Sequence, residues 1–248
     1  INPIYIHDEI HHNLKDPSII VPYLVDKINP TSVIDVGCGI GTFLKVFYDY
    51  GVKDYFGIDG DWVNMSLLRK YIDEHNFKVV NLEENLILKR RFDLAISLEV
   101  AEHLKQESAD IFIDNLVQLS DVIVFSAAIP GQGGQNHLNE QWPTYWAEKF
   151  EQRGFSFNDV LRPIFWYNDE LSSWYKQNIF LIVNESSKNI LDLFKTEKPI
   201  IDFVHPDYFN NLLNNFCEIK DIESRFFEIL RGHESLNFYI KLLTKKIL

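Results

Sequence analysis

The chain of 248 residues has only two cysteines, Cys38 and Cys217. Two thiols cannot build a disulfide framework, and Cys38 sits inside a glycine turn, a poor place for a crosslink. A reduced, cytoplasmic setting is expected. Long hydrophobic runs are missing too. None approaches the roughly 18 residues that span a bilayer, and the opening residues do not read as a charged-then-apolar leader, so no membrane insertion is expected. Basic charge is scarce: 24 Lys and Arg stand against 36 Asp and Glu, a net charge of −12. From Ser186 onward nine basic and nine acidic side chains balance, so the whole excess lies in residues 1–185. Nucleic-acid binders carry a basic footprint. This region carries the reverse, which argues against a nucleic acid or other polyanion as substrate. A small acceptor, neutral or locally cationic, fits better, although acidity also serves plain solubility.

What is present is an alternation of strand and helix patterns, with no internal repeat. Residues 1–30 read as an arm and a helix. Asp16-Pro17 looks like an N-cap with proline at the first helical position, and Ile19, Ile20, Tyr23, Leu24 and Ile28 are apolar behind it. Strands are expected at 32–36, 55–58, 78–82, 92–98 and 122–126, with helices at 42–50, 65–75 and 142–153 and a mostly helical stretch over 100–119. A last strand pair is expected near 156–163 and 177–184. The pattern predicts an α/β fold: a doubly wound, Rossmann-like, mostly parallel seven-stranded sheet with an antiparallel edge. Residues 31–185 form this domain. Residues 186–248 read as a helical appendage, with Ile190, Leu191, Leu193 and Phe194 and then Phe226, Phe227, Ile229 and Leu230 as its apolar positions. Such helices suit capping of the core or formation of a homo-oligomer.

The first strand breaks into Val33-Ile-Asp-Val-Gly-Cys-Gly-Ile-Gly-Thr-Phe43. Three alternate glycines cost conformational entropy, so a ligand or chain must approach that backbone closely. A glycine turn between strand one and helix one is where doubly wound folds bind nucleotides. The dinucleotide pattern G-x-G-x-x-G fails, because its third glycine would be Thr42. A second acid, Asp59, ends strand two 24 residues after Asp35. A carboxylate there can accept both hydroxyls of a ribose. Trp62 lies just beyond, and Asn81-Leu82 closes strand three.

The D-x-G-x-G-x-G arrangement of Asp35, Gly37, Gly39 and Gly41 resembles motif I of class I S-adenosylmethionine-dependent methyltransferases. The resemblance spans roughly residues 30–185. It implies that Asp35, Gly37, Cys38, Gly39 and Gly41 face the methionine part of the cofactor. It further implies that Asp59, Gly60, Trp62, Asn81 and Leu82 face the adenosine, with Leu98 and Glu99 closing the pocket. The segment Glu99-Val-Ala-Glu-His-Leu104 is similar to the E-V-x-E-H-L stretch of the type 11/12 group of these enzymes. Two readings of it stand. In many members it closes the cofactor pocket. In small-RNA 2′-O-methyltransferases and ubiquinone-pathway O-methyltransferases it holds a divalent cation, which here implies Mg²⁺ or Mn²⁺ on Glu99, Glu102, His103 and His137. Its i, i+3, i+4 spacing would put the three side chains on one helix face.

The loop after strand five runs Ala127-Ala-Ile-Pro-Gly-Gln-Gly-Gly-Gln-Asn-His137 and on to Trp146. It leaves the carboxyl end of the sheet, where open α/β folds bind ligands. Methyl transfer is an in-line displacement that needs alignment above all. An alcohol acceptor also gives up a proton, and an imidazole suits that near neutral pH. His137 is the candidate base, with Glu102 and His103 beside it; bridging of loop backbone is the other reading of His137. Asn136, Asn139, Trp142, Tyr145 and Trp166 are candidate acceptor-site residues, and Arg162, Trp174, Tyr175, Gln177 and Asn178 look like pocket wall, with core packing the other reading of the aromatics. The expected reaction is methyl transfer from S-adenosylmethionine to a hydroxyl of a small acceptor, a carbohydrate by family likeness. The alternatives are an N-methyltransferase acting on a small amine and a non-catalytic methyltransferase-like scaffold. His7, His11 and His12, with Asp8 and Glu9, could make the leading arm a lid, plain surface residues being the other reading.

Overall fold

The computed structural model describes Glu9 and residues 12–194, 204, 205, 207–212, 214, 227 and 240. His7, Asp8, His11, Cys217 and most of the expected C-terminal helices, including Phe226, Ile229 and Leu230, lie outside the described residues. The chain divides between residues 203 and 204 into two compact units. The first holds the sheet and everything considered below.

Among the described residues, seven strands form one sheet: β1 (Ser32–Val36), β2 (Asp54–Asp59), β3 (Phe77–Val79), β4 (Leu94–Leu98), β5 (Val122–Ser126), β6 (Phe155–Asn158) and β7 (Phe180–Asn184). Their order is β3-β2-β1-β4-β5-β7-β6. The first five run parallel, and β7 is antiparallel to both β5 and β6. Every residue of β1, β4 and β5 is buried. That is why these strands read as mostly apolar runs rather than alternating ones. Strand order reverses about β1, so the loops after β1 and β4 diverge from one point at the carboxyl end and open a crevice there.

Among the described residues of this unit, seven α-helices cover the two faces: α1 (Pro17–Ile28), α2 (Thr42–Asp49), α3 (Met65–Tyr71), α4 (Ala109–Leu119), α5 (Pro143–Glu151), α6 (Arg162–Phe165) and α7 (Ser173–Asn178). Ile20 and Leu24 of α1, Leu44 and Phe47 of α2 and Leu68 of α3 pack with Val33 and Leu94 on one face. Phe112 and Leu116 of α4 and Trp146 and Phe150 of α5 pack with Ile34, Ala95 and Phe125 on the other. Each fully buried phenylalanine contributes roughly 1.5–3 kcal/mol. Trp146 is thereby a core residue, its ring tilted against Phe125 at 5.6 Å.

Three local expectations change. Asp16 does not cap α1. Its own backbone is already helical (φ −64°, ψ −44°), so the carboxylate does not fold back onto the first turn. It accepts hydrogen bonds from Ser172 instead, from the amide at 3.0 Å and the hydroxyl at 2.8 Å, and ties α1 to the start of α7. The stretch 100–119 is helical only from Ala109. Before that come two short 3₁₀ turns, Ala101–His103 and Gln106–Ser108, separated by extended backbone at Leu104 and Lys105. Gln177 and Asn178 end α7 rather than begin a strand. Arg162 is buried in a bidentate pair with Asp159 (2.8 and 2.6 Å), with its guanidinium 4.4 Å from the Phe180 ring.

Candidate active site

The glycine turn is built on left-handed backbone, which favours glycine. Gly37, Gly39 and Gly41 have φ of 85°, 53° and 84°. A Cβ on Gly37 would come within 2.4 Å of the Val100 side chain, and one on Gly41 within 2.9 Å of Ile72. The amides of Gly37 and Cys38 both donate to the Ile58 carbonyl, at 2.8 and 3.2 Å, which locks the turn against the end of β2. Cys38 is buried with a free thiol, and burial pushes its pKa well up.

Asp59 is the second anchor of the turn. Its carboxylate accepts from the Gly39 amide at 2.7 Å and the Gly60 amide at 2.6 Å. It is 5% exposed, and burial raises its pKa to about 6, with both amides and the Trp62 side chain pulling the other way. Asp35, at 3% exposed, is pushed well above the usual carboxylate range by burial and then by Asp59. The indole of Trp62 lies on Gly60, where a Cβ would strike it at 2.3 Å, and Trp62 is otherwise exposed. Leu82 and Leu98 are buried. The Asn81 side chain is engaged locally, accepting from the Glu83 amide and donating to Glu84.

Beyond β4 the chain turns on Glu99, a non-glycine residue at φ 56°. Backbone strain of this kind costs on the order of 1–3 kcal/mol and persists where the surroundings enforce it. The Glu99 amide donates to the carbonyl and hydroxyl of Ser126. Its carboxylate accepts from Gln132 Nε2 at 2.8 Å and from Asn178 Nδ2 at 3.1 and 3.3 Å. Asn178 Nδ2 also donates to Gln132 Oε1 at 2.9 Å. Burial raises the Glu99 pKa, and these amides oppose it.

The positive φ at Glu99 and the 3₁₀ turn after it replace the helix face on which the three residues were expected. Glu102, His103 and His137 still converge: one ligand-capable atom of each lies within 4.8 Å of the others. Glu99, with its carboxylate held by amides, is not in that group. Glu102 is completely buried, and neither carboxylate oxygen makes a well-formed hydrogen bond. Burial, and then the neighbouring Glu99, hold its pKa well above the normal range. Burial, and then His137, push His103 down to about 4. The two imidazoles meet edge to face at 4.9 Å.

The loop that brings in His137 is pinned to the 3₁₀ turn by main chain. The amides of Leu138 and Asn139 donate to the Glu102 carbonyl at 2.8 and 2.9 Å. Asn136 sits at φ 60° within that loop. Asn139 is buried and accepts from Gln141. Trp142 is 41% exposed at the head of α5. Tyr145 meets Trp146 edge to face at 4.9 Å and packs against the core, and Trp166 follows α6. Sequence reasoning assigned no role to Gln132 or Glu140. Both lie in a stretch whose only sequence signal is its density of glycine and polar residues.

A doubly wound sheet with a glycine turn, a strand-two acid and a half-buried acid–imidazole cluster at the carboxyl end defines a nucleotide-cofactor enzyme. A family model described as a methyltransferase domain matches residues 10–159. No curated protein matches the chain. Among solved structures, the magnesium protoporphyrin IX methyltransferase ChlM of Synechocystis PCC 6803 with bound SAH is similar at a TM-score of 0.52 and 19% identity, over 69% of this chain and 83% of that one. The sugar N-methyltransferase KedS8 of Streptoalloteichus reaches 0.55 at 11% identity, over 71% and 90%. DesVI of Streptomyces venezuelae reaches 0.53 at 14%, over 69% and 91%. The chain belongs to the methyltransferase-domain family and is an S-adenosylmethionine-dependent methyltransferase.

Proposed function

We propose that the protein transfers a methyl group to a hydroxyl of a small acceptor, of carbohydrate type, with His137 as general base. The observation that carries this reading is the placement of His137 in a half-buried cluster with Glu102 and His103, on the loop leaving the carboxyl end of β5. The cofactor has a cradle to match. The turn at Gly37–Gly41 suits the methionine part, with Asp35 reaching the ammonium directly or through water. Asp59 has acceptor capacity left beyond its two amide bonds and suits the ribose hydroxyls. Trp62 and Leu82 suit the adenine.

S-adenosylmethionine supplies the methyl carbon on an activated sulfonium. The chain aligns the acceptor oxygen behind that carbon, and His137 accepts the hydroxyl proton as the C–O bond forms and the C–S bond breaks. The electron pair stays on sulfur, and S-adenosylhomocysteine leaves. A buried site strengthens each electrostatic contact of this step. The experiment is a pair of acceptors, a sugar with a free hydroxyl and its amino counterpart, each incubated with enzyme and cofactor and read by mass spectrometry. Methylation of the hydroxyl supports the reading, and methylation confined to the amine contradicts it. The amine is the second reading: a free amine brings its own lone pair and needs no base at His137.

A divalent cation fits the same cluster as an alternative to the base, because an ion held by His137 would take the lone pair that accepts the proton. Glu102 is a buried carboxylate with no well-formed hydrogen bond, and two imidazoles complete a donor set suited to Mg²⁺ or Mn²⁺. Held by Glu102, His103 and His137, it would polarise an acceptor oxygen. Mn²⁺ titrated into the protein should lose its free-ion electron paramagnetic resonance signal at one equivalent, and Glu102→Ala should restore that signal. Mn²⁺ that stays free, together with turnover indifferent to EDTA, contradicts the metal reading and leaves the base in place.

A further inference from the structure

Glu140 is the hub of the loop that carries His137. Its Oε2 accepts from the Gly131 amide at 2.7 Å, and its Oε1 accepts from the Gly133 amide at 2.7 Å. The same Oε1 faces His137 Nδ1 at 2.8 Å. Neither side chain is open to solvent: 12% of His137 and 19% of Glu140 is exposed. With two backbone amides already on it, the carboxylate is fixed in place before the imidazole meets it. An ionised carboxylate can only accept. The hydrogen of this contact therefore sits on Nδ1, and in the neutral ring Nε2 keeps its lone pair.

A second feature acts on the other edge of the ring. Gly134 lies beside Nε2, and a Cβ there would come within 2.2 Å of it. Any side chain at 134 would press on the nitrogen that Glu140 leaves free. The glycine spares that edge a Cβ.

We propose that Glu140 is a positioning residue that holds His137 as the Nδ1–H tautomer, with Nε2 left as the working nitrogen. This rests on the reading of His137 as a reacting or ligating imidazole, since both roles need a lone pair at a defined place. The carboxylate–imidazole pair would act here as outer carboxylates act on ligating histidines, where their loss costs 10- to 100-fold. It would also stabilise the imidazolium that forms when His137 takes the acceptor's proton.

The test is the ¹⁵N spectrum of the imidazoles in ¹⁵N-histidine-labelled full chain, recorded where the rings are neutral. The His137 signals are assigned by their loss in His137→Ala. The expected result is the Nδ1–H tautomer for His137, against the Nε2–H form that free imidazole side chains prefer. Glu140→Ala should lose that tautomer and lower kcat by about 10- to 100-fold, with the affinity for S-adenosylhomocysteine within about twofold of the parent. Glu140→Gln, which keeps one acceptor oxygen, should recover part of both. A wild-type His137 in the Nε2–H form overturns the proposal, and this holds even if the alanine variant does not fold. A Glu140→Ala protein that loses turnover but keeps the Nδ1–H tautomer also overturns it, because Glu140 would then only shape the loop. Full turnover in His137→Ala sinks the general-base reading instead, and the tautomer result still decides the role of Glu140.

Discussion

Asp59→Ala should weaken binding of S-adenosylhomocysteine by about 10²-fold, measured by calorimetry at pH 7.5. Two effects combine. The carboxylate offers charge-assisted acceptors to a ribose, each such bond being worth roughly 1.5–3 kcal/mol. It also orders the Gly39 and Gly60 amides, which in its absence would be left without that partner. The wild-type affinity should depend on pH through the same group. Burial raises the folded carboxyl to about 6, against about 3.9 for an unperturbed aspartate. Between those values the folded chain holds a proton that the unfolded chain has released. Stability therefore falls by about 3 kcal/mol on this account as the pH rises through that window. Binding runs the other way. Ribose hydroxyls donate to the ionised form, so affinity should rise about tenfold from pH 5 to pH 7 and then level off. Asp59→Asn should be weak and flat across the same range. An affinity independent of pH in the wild type would remove Asp59 from cofactor binding.

His137→Ala should lower turnover on a hydroxyl acceptor by about 10²-fold or more, the usual scale for losing a general base. Affinity for S-adenosylhomocysteine should change little, because His137 belongs to the loop after β5 and not to the glycine turn. His137→Gln keeps a polar side chain of similar reach and should be as slow, which separates proton transfer from packing. An amine acceptor carries its own lone pair, and its rate should survive both substitutions. Unchanged turnover on the hydroxyl would take His137 out of the mechanism.

The geometry of the glycine turn was legible because its signals are local. Alternate glycines at a strand end need positive φ, and all three have it. An acid 24 residues on lands at the tip of β2 because β1 and β2 pair in parallel, with Asp35 opposite Gly57. The acid–imidazole half was legible only in part. Glu102, His103 and His137 meet, but not on a helix face. Glu99 takes a left-handed backbone, and its carboxylate is occupied by Gln132 and Asn178, the latter 79 residues away. That convergence depends on how the β5 loop and the end of α7 fold over the sheet, which no periodicity records. Glu140 was hidden for a different reason. Its partners are two backbone amides and one ring nitrogen within nine residues, a loop conformation rather than a spacing rule. Asp16 illustrates the reverse error. An Asp-Pro pair reads as a cap, yet the tie to Ser172 wins because the backbone at Asp16 is already helical.

The central claim is that the turn at Gly37–Gly41 and Asp59 holds the cofactor of a working methyltransferase. Calorimetric titration of S-adenosylhomocysteine into the wild-type chain tests it most directly. The account predicts one site per chain with clear heat at sub-millimolar ligand, and no binding in that range would contradict it.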